Sequence, residues 1–498
     1  MMRHRFKTRF YTYIQWPLWA SAFLLLCGLI LQCKDSGTEP KKPPDSDNIR
    51  TVVILYTNDE HGWMEAGESA DGAAGMMGLW RSSEGYTESG PYLVLSGGDM
   101  WTGPAISTWF HGRSMVEVMN AMGYDAAAIG NHEFDFTVDT LEVRIQESDF
   151  TYLAANIRMS GTDQIPEFAT PYVIREVNGI TIGIVGMASI TTPWSTNPAN
   201  VAGLDFLPYD QTLQALIPEV RAGDPDLIIL VGHMTEREMR ALAPTASALG
   251  IPLIAGGHGH EYVNDRIGSV ALLQAGAYMN FYGRADIKYD TQGDSLYSMQ
   301  VSIFSNTDGV PDPAVENIVQ TWEDRLDDQL SHVIGYASNT IPVESAGMHN
   351  MVTDSWLWAL PAAHASLTNS GGIRQSIPAG NISLETLVGV LPFENTIIQM
   401  DLTGSQLKQS IRYLLMGGIT TSGDTLFLDG SHIYNDSLYR VLTNSYLYSR
   451  TDYPFQNFDP DAYDTGINYR QPVIDWIMSL GTTSSDPLNN YLDTVPRR

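Results

Sequence analysis

Cysteine is nearly absent from this chain: 498 residues hold only Cys27 and Cys33, both close to the N-terminus. The rest therefore has neither a disulfide framework nor a cysteine-built zinc site. Bases are scarce too, 28 Lys and Arg against 57 Asp and Glu, for a formal net charge of −29. The first 33 residues carry four bases and no acid, so the remainder of the chain stands at −33. A body this acidic argues against nucleic-acid polymers and anionic lipid surfaces as partners. Any anionic ligand would need positive charge supplied locally. Long hydrophobic runs are missing as well, with the exception of Trp16–Leu31. As a helix that run would reach about 24 Å, short of the roughly 30 Å hydrocarbon core of a bilayer. With Arg3, Arg5, Lys7 and Arg9 ahead of it, it reads as a cleaved export signal rather than a permanent span.

Cys33 and the adjoining KDSGTEPKKPPDSDN resemble the acylated cysteine and tether of a bacterial lipoprotein, although Gln32 stands where a small residue is usual. The expectation is an exported protein, periplasmic or at the cell surface and lipid-anchored at Cys33. Ordinary secretion and an uncleaved anchor are the alternatives. A composition of 43% hydrophobic and 17% charged residues is that of a globular chain, long enough for two or three domains. Residues 1–33 are thus an export segment and 34–48 a flexible Pro/Lys/Asp/Ser-rich tether. Residues 49–308 alternate short apolar runs with polar, partly helical segments, an α/β pattern. An amphipathic helix around Pro313–Leu330 marks a connector over 309–335. Residues 336–498 form a second, mixed α+β unit. No internal repeat is present.

Within the first unit, five strand-like runs each end in ligand-type side chains. Thr51–Tyr56 is followed by Asp59 and His61, and Pro91–Leu95 by Gly97, Gly98 and Asp99. Tyr124–Ile129 leads into Gly130-Asn131-His132-Glu133-Phe134-Asp135. Asp226–Val231 leads to His233, and Ile251–Ala255 to His258 and His260. Ligand sites in α/β sheets lie beyond the carboxyl ends of strands, so these loops are expected to converge. Five of the eleven histidines fall in them, which scattering would not produce. One such histidine alone would be an ordinary structural residue, and His111, His332, His364 and His432 are read that way. The Asp, Asn and His donor set suits Zn²⁺, Mn²⁺, Fe or Co. It is too rich for one tetrahedral ion and about enough for two, with Asp99 bridging; a single-metal site is the alternative. Two metals about 3.5–4 Å apart can hold a hydroxide nucleophile and polarise a phosphoryl group, and they bring the positive charge that the chain lacks.

Taken together, Asp59-x-His61, Gly98-Asp99, Gly130-Asn131-His132-Glu133, Gly232-His233 and Gly257-His258-x-His260 resemble the motifs of calcineurin-like metallophosphatases. Asn369-Ser-Gly-Gly-Ile-Arg374 and Leu391-Pro-Phe393 resemble the substrate-domain motifs of the 5′-nucleotidase family, a likeness spanning roughly residues 50–460. The resemblance implies a β-sandwich flanked by helices (αββα), with a C-terminal substrate-binding domain behind it. It implies one metal held by Asp59, His61, Asp99 and His260, and a second by Asp99, Asn131, His233 and His258. His132 would then face the substrate phosphate, oriented by Asp135, as a catalytic dyad; Glu133 has no assigned role. Arg374 and Asn369 would contact phosphate or ribose. Phe393 and Tyr446 would stack the base, and Asp452 would bind the ribose hydroxyls. Without the resemblance, Phe393 and Tyr446 would be ordinary core residues and Arg374 a solvated charge.

The chain departs from the family at two places. Arg450-Thr-Asp-Tyr453 stands where a Gly-Gly-Asp-Gly loop is usual, and no Lys or Arg lies between Glu344 and Asn350. Both leave the metal chemistry intact and bear on the nucleotide pocket. The expected activity is hydrolysis of nucleoside 5′-monophosphates by a metal-bridging hydroxide. UDP-sugar or 2′,3′-cyclic-nucleotide hydrolysis, and sulfur-ester hydrolysis, are rivals on the same core. A non-catalytic surface nucleotide-binding protein is the rival of another class, and would be expected to have lost a ligand or His132.

Overall fold

The computed structural model describes residues 46–422, 425–428 and 430–497. The export segment, Cys33 and nearly all of the tether lie outside the described residues. The run IRTVVILYT forms the strand Ile49–Thr57. Its side chains alternate between two buried faces: Val52, Ile54 and Tyr56 enter one core, Val53 and Leu55 another. Burial on both faces is why the strand reads as an unbroken apolar run.

This strand lies inside a six-stranded sheet ordered Ser295–Ser305, Phe281–Asp290, Ile49–Thr57, Tyr92–Ser96, Ala126–Ala128, Thr151–Leu153. Pairing is antiparallel up to Ile49–Thr57 and parallel beyond it. A second six-stranded sheet runs Tyr262–Ile267, Val270–Ala275, Leu253–Ala255, Leu227–Gly232, Ile180–Met187, Tyr172–Val177. Its four inner strands are parallel and its two edge strands antiparallel. The sheets face each other across a core that includes Ile54, Leu95, Ile182, Ile229 and Leu253. Helices cover the outer faces. Met115, Met119 and Trp322 pack on the first sheet, and Leu213, Met239 and Leu242 on the second. This is the αββα layering that the resemblance to calcineurin-like metallophosphatases implies.

The helix Pro313–Leu330 is capped by Asp312, whose carboxylate accepts the N–H groups of Ala314 at 3.0 Å and Val315 at 3.2 Å. Pro313 occupies the first turn, where no N–H is needed. Val315, Val319, Trp322, Leu326 and Leu330, spaced by three and four, join the core beneath the first sheet. The backbone just ahead of this helix passes so close to the helix Gly72–Leu79 that a Cβ on Gly78 would lie 1.8 Å from the Val310 carbonyl oxygen. Gly78→Ala is accordingly expected to destabilise the fold by about 1–3 kcal/mol, read as a lower thermal midpoint; an unchanged midpoint would show that the contact yields freely.

Beyond residue 335 a five-stranded sheet is ordered Leu415–Gly417, Ala365–Thr368, Leu438–Asn444, Thr396–Thr403, Tyr463–Asn468. Helices Ala346–Ala359 and Gln471–Leu480 pack around Trp356, Tyr469, Val473 and Ile477. Among the described residues no helix is long and apolar enough to cross a membrane.

Candidate active site

The strand ends do converge. Asp59 and His61, Asp99, and Asn131 lie just past three strands of the first sheet, while His233, His258 and His260 lie just past two strands of the second. Backbone strain marks the place. Asp59, His61, Asp99, His258 and His260 have φ of 51, 48, 60, 70 and 57°, the left-handed region that non-glycine residues rarely adopt and that clusters at functional sites. The turns are held by side chains: the Asp59 carboxylate accepts the His258 N–H at 3.0 Å, and that of Asp99 accepts the His132 N–H at 2.8 Å.

Asp59, His61 and His260 bring one ligand atom each within 4.8 Å of one another, as do Asp99, His233 and His258, and also His61, Asp99 and His132. Asn131 Oδ1 lies 3.2 Å from His233 Nε2. The chemistry of these donors fits cations. His61 Nδ1 lies 2.9 Å from the Thr102 carbonyl oxygen and His233 Nδ1 2.8 Å from that of Gly97. A carbonyl only accepts, so both Nδ1 atoms carry the proton and both Nε2 atoms turn a lone pair inward. His61 Nε2 then meets His260 Nε2 at 3.1 Å, and His233 Nε2 meets Asp99 Oδ2 at 2.9 Å. Lone pairs and carboxylates brought this close in a buried space require positive charge between them. Without an ion, protons supply it. Burial pushes His233 down, but Asp99 outweighs burial and holds the imidazole up at about 10. Burial raises the Asp59 carboxyl to about 7, against the pull of His233.

Glu133, without a role on sequence grounds, is fully buried and accepts three backbone N–H groups: Gly130 at 2.6 Å, Met100 at 2.7 Å and Asp99 at 2.9 Å. It ties the loop that carries Asp99 to the loop that carries Asn131. Burial first, then the Asp99 carboxylate, push its own carboxyl up to about 8, while the Met100 and Asp99 N–H groups pull it down. A cation at Asp99 would cancel the second of the raising effects.

His132 Nδ1 lies 2.6 Å from Asp135 Oδ2, and Asp135 Oδ1 accepts the Thr196 hydroxyl at 2.8 Å. Burial lowers the His132 pKa, but Asp135 and then Asp99 outweigh it, and the net shift is upward. The imidazole stacks on Phe393 from the second half of the chain, with centroids 5.8 Å apart and planes at 21°.

In front of His132 and His258 opens a cavity of about 660 Å³, also lined by Asp135, Asn369, Arg374, Phe393, Tyr446 and Arg450. The volume suits a ligand of nucleotide size. The Arg374 guanidinium is near enough to lower the pKa of both His61 and His260, second only to burial. Asp452 is not brought to the cavity wall, because the Arg450 fork, two residues before it, holds both its carboxylate oxygens at 2.7 and 2.5 Å. His111, taken from sequence as structural, lines the cavity and stacks on Phe136 at 4.5 Å.

Several contributors were not anticipated. Asn58 donates to Asp59 Oδ2 at 2.7 Å and to the Gly276 carbonyl at 2.6 Å. Buried Glu60 accepts from the Thr57 hydroxyl and from that of Ser96. Thr191 Oγ1 lies 3.0 Å from His258 Nε2. Asn58 and Glu60 flank Asp59 in sequence, and that adjacency was a usable signal. Thr191 and Thr196 sit in a Thr/Ser/Asn/Pro-rich loop that carried none.

A two-sheet sandwich with Asp, Asn and His side chains gathered at its strand ends defines a class, the metal-dependent phosphoester hydrolases. The calcineurin-like phosphoesterase model matches residues 53–262, and the 5′-nucleotidase C-terminal domain model residues 329–433. Human 5′-nucleotidase is 28% identical over 444 residues, 77% of this chain and 75% of its own length. The 5′-nucleotidase of Vibrio cholerae is 25% identical over 527 residues, 91% of this chain and 95% of its own. A crystal structure of a 5′-nucleotidase precursor from Thermus thermophilus superposes with a TM-score of 0.74 at 22% identity, covering 87% of this chain and 97% of that one. The chain thus joins a calcineurin-like phosphoesterase domain to a 5′-nucleotidase C-terminal domain.

Proposed function

We propose that this protein is an exported nucleotide hydrolase that converts nucleoside 5′-monophosphates to nucleoside and phosphate, with two divalent ions, Zn, Mn, Co or Fe, at its strand ends. The observation that carries this reading is one cavity lined by His132 and His258 together with Arg374, Phe393 and Tyr446. Cationic and aromatic groups thus share a single space of nucleotide size. Asp59, His61, Asp99 and His260 would hold one ion, and Asp99, Asn131, His233 and His258 the other. Bound there, the ions would supply Lewis acidity toward a phosphoryl oxygen and lower the pKa of a water.

The chain's own residues do the rest. Arg374 draws the phosphate into a strongly acidic protein. Phe393 and Tyr446 offer aromatic faces to the base, and Asn369 an amide to the sugar or phosphate. His132, fixed by Asp135 and raised toward its charged form, faces the transferring group as a proton source for the leaving oxygen. Export rests on the basic residues 3–9 and the apolar run behind them, and tethering on Cys33.

The test is phosphate release after EDTA stripping, and again with Mn²⁺, Zn²⁺ or Co²⁺ restored, on AMP, UDP-glucose, 2′,3′-cyclic AMP and bis(p-nitrophenyl) phosphate. Metal-restored activity highest on AMP is expected. Activity on another ester but not on AMP would keep the chemistry and move the substrate. No hydrolysis of any ester with any metal would leave a nucleotide-binding protein without catalysis.

A further inference from the structure

The segment Ser189–Val201 lies beyond the strand Ile180–Met187 and contains the short helix Thr192–Ser195. It supplies none of the candidate metal ligands, yet it touches His258, Asp135 and the substrate-binding half. At one end Thr191 Oγ1 lies 3.0 Å from His258 Nε2. In the middle the Thr196 hydroxyl donates to Asp135 Oδ1 at 2.8 Å. At the other end the Asn200 amide donates to the carbonyls of Phe134 and Asp135, each at 2.9 Å. Its outer side meets the second half of the chain. The Trp194 carbonyl accepts Arg450 Nη1 at 2.7 Å and the Tyr446 hydroxyl at 3.0 Å, and Ser449 Oγ reaches Asn197 Oδ1 at 3.4 Å. Arg450 also donates to the Tyr446 hydroxyl.

We propose that residues 191–200 are the element through which the substrate-binding half sets the geometry of the His132–Asp135 pair, with Thr196 a positioning residue for Asp135 and Arg450 the group that anchors the segment from the other side. The geometry leaves Asp135 little choice of pose. Oδ2 is engaged by His132 and Oδ1 by Thr196, while its backbone carbonyl is held by Asn200. Thr196 is 2% exposed, so no solvent hydroxyl stands ready to replace its own. A carboxylate that loses one of two fixed donors in a buried site rotates toward whatever remains, and the imidazole it orients turns with it. The anchor is a charge-assisted bond to a carbonyl. Arg450 therefore does more than line the pocket: it joins Tyr446, on the ligand side, to the backbone two residues before Thr196. A ligand that orders Tyr446 and Arg450 then also orders the segment that aims His132.

This inference rests on the reading of His132 and Asp135 as a catalytic dyad, and the test is built to separate the two. Turnover is measured on whichever of AMP and 2′,3′-cyclic AMP is hydrolysed, since both expel an alkoxide that needs a proton, so a wrong choice between these nucleotides leaves the result intact. Thr196→Val keeps the shape and removes the hydroxyl. It is expected to lower kcat roughly 10- to 100-fold with KM nearly unchanged and bound metal retained, and Thr196→Ser is expected to restore most of the loss. Arg450→Ala is expected to lower kcat less, and to add nothing further in the Thr196→Val background, since both act through Asp135. Independently of activity, Arg450→Ala is expected to speed amide hydrogen exchange in the peptide spanning 191–200 in the metal-loaded protein. Multiplicative losses in the double variant, or exchange in that peptide unchanged by Arg450→Ala, would overturn the coupling. A Thr196→Val enzyme with wild-type kcat would overturn the positioning role. If His132→Ala proved harmless, the dyad reading would fall and the positioning role with it, whereas a large loss in His132→Ala beside a wild-type Thr196→Val would overturn the positioning role and keep the dyad.

Discussion

Replacing His132 by alanine is expected to reduce turnover by roughly 100- to 10,000-fold, the usual range for losing a positioned acid or base, with KM and metal content close to wild type. The surroundings of the imidazole limit what it can do. Its Nδ1 is committed to Asp135 at 2.6 Å, which leaves Nε2 to face the cleft. Asp135 and Asp99 together overcome burial and favour the protonated ring, which donates rather than accepts. Phe393 stacked against it limits rotation. A rival role exists, because His132 lies within ligand distance of His61 and Asp99. If it were a metal ligand, His132→Ala would lose bound metal and activity together, as measured by elemental analysis of the dialysed protein. Activity within a few-fold of wild type would remove His132 from the chemistry altogether.

The second large effect is expected at Glu133. Glu133→Gln preserves volume but exchanges one carboxylate oxygen for an NH₂ group. Since both oxygens accept backbone N–H bonds from Asp99, Met100 and Gly130, the amide would turn a donor against a donor. A buried donor left unpaired costs about 1–3 kcal/mol, and the loops can escape it only by moving apart. Asp99 rides on one of them and Asn131 on the other. A displacement near 1 Å can cost about 100-fold in rate, so a loss of that order in kcat is expected, together with weaker metal binding and a lower thermal midpoint. Metal titration and thermal unfolding of the two proteins check it. Wild-type affinity and rate in Glu133→Gln would show that the loops are held by other means.

How much of this could be read from the chain depends on distance along it. Each candidate ligand lies within a few residues of the apolar run that positions it: Asp59 and His61 behind VVILYT, His233 behind LIILVG, His258 behind PLIA. A period and a punctuation were enough to place them at strand ends. The runs by themselves gave only an α/β pattern, and the αββα layering came from the resemblance of the motifs at their ends. Thr196 was beyond reach for a different reason. Its partner Asp135 is 61 residues away, and a threonine in STNPAN has many local uses that leave the same trace in sequence. Glu133 was visible but ambiguous, because nothing in GNHEFD says that its carboxylate turns back onto two loops at once. Asp452 shows the opposite hazard. Its spacing from Tyr446 suggested the pocket, but spacing is silent about Arg450, whose planar fork two residues earlier matches a carboxylate and takes it.

The candidate ligands also divide in a way that bears on more than chemistry. Asp59, His61, Asp99 and Asn131 belong to the first sheet, and His233, His258 and His260 to the second. Neither layer alone offers a complete cage, so ions seated at both sets would rivet the two layers together at one end of the sandwich. The rivet sits opposite no disulfide, in a chain whose only cysteines precede the described residues. Because an unfolded chain presents no such cage, occupancy would bias the whole first half toward its native state by about 2.7 kcal/mol for each site held at a hundred times its dissociation constant. The seam between the two sheets would thus be the part of this protein whose integrity tracks the metal supply around it.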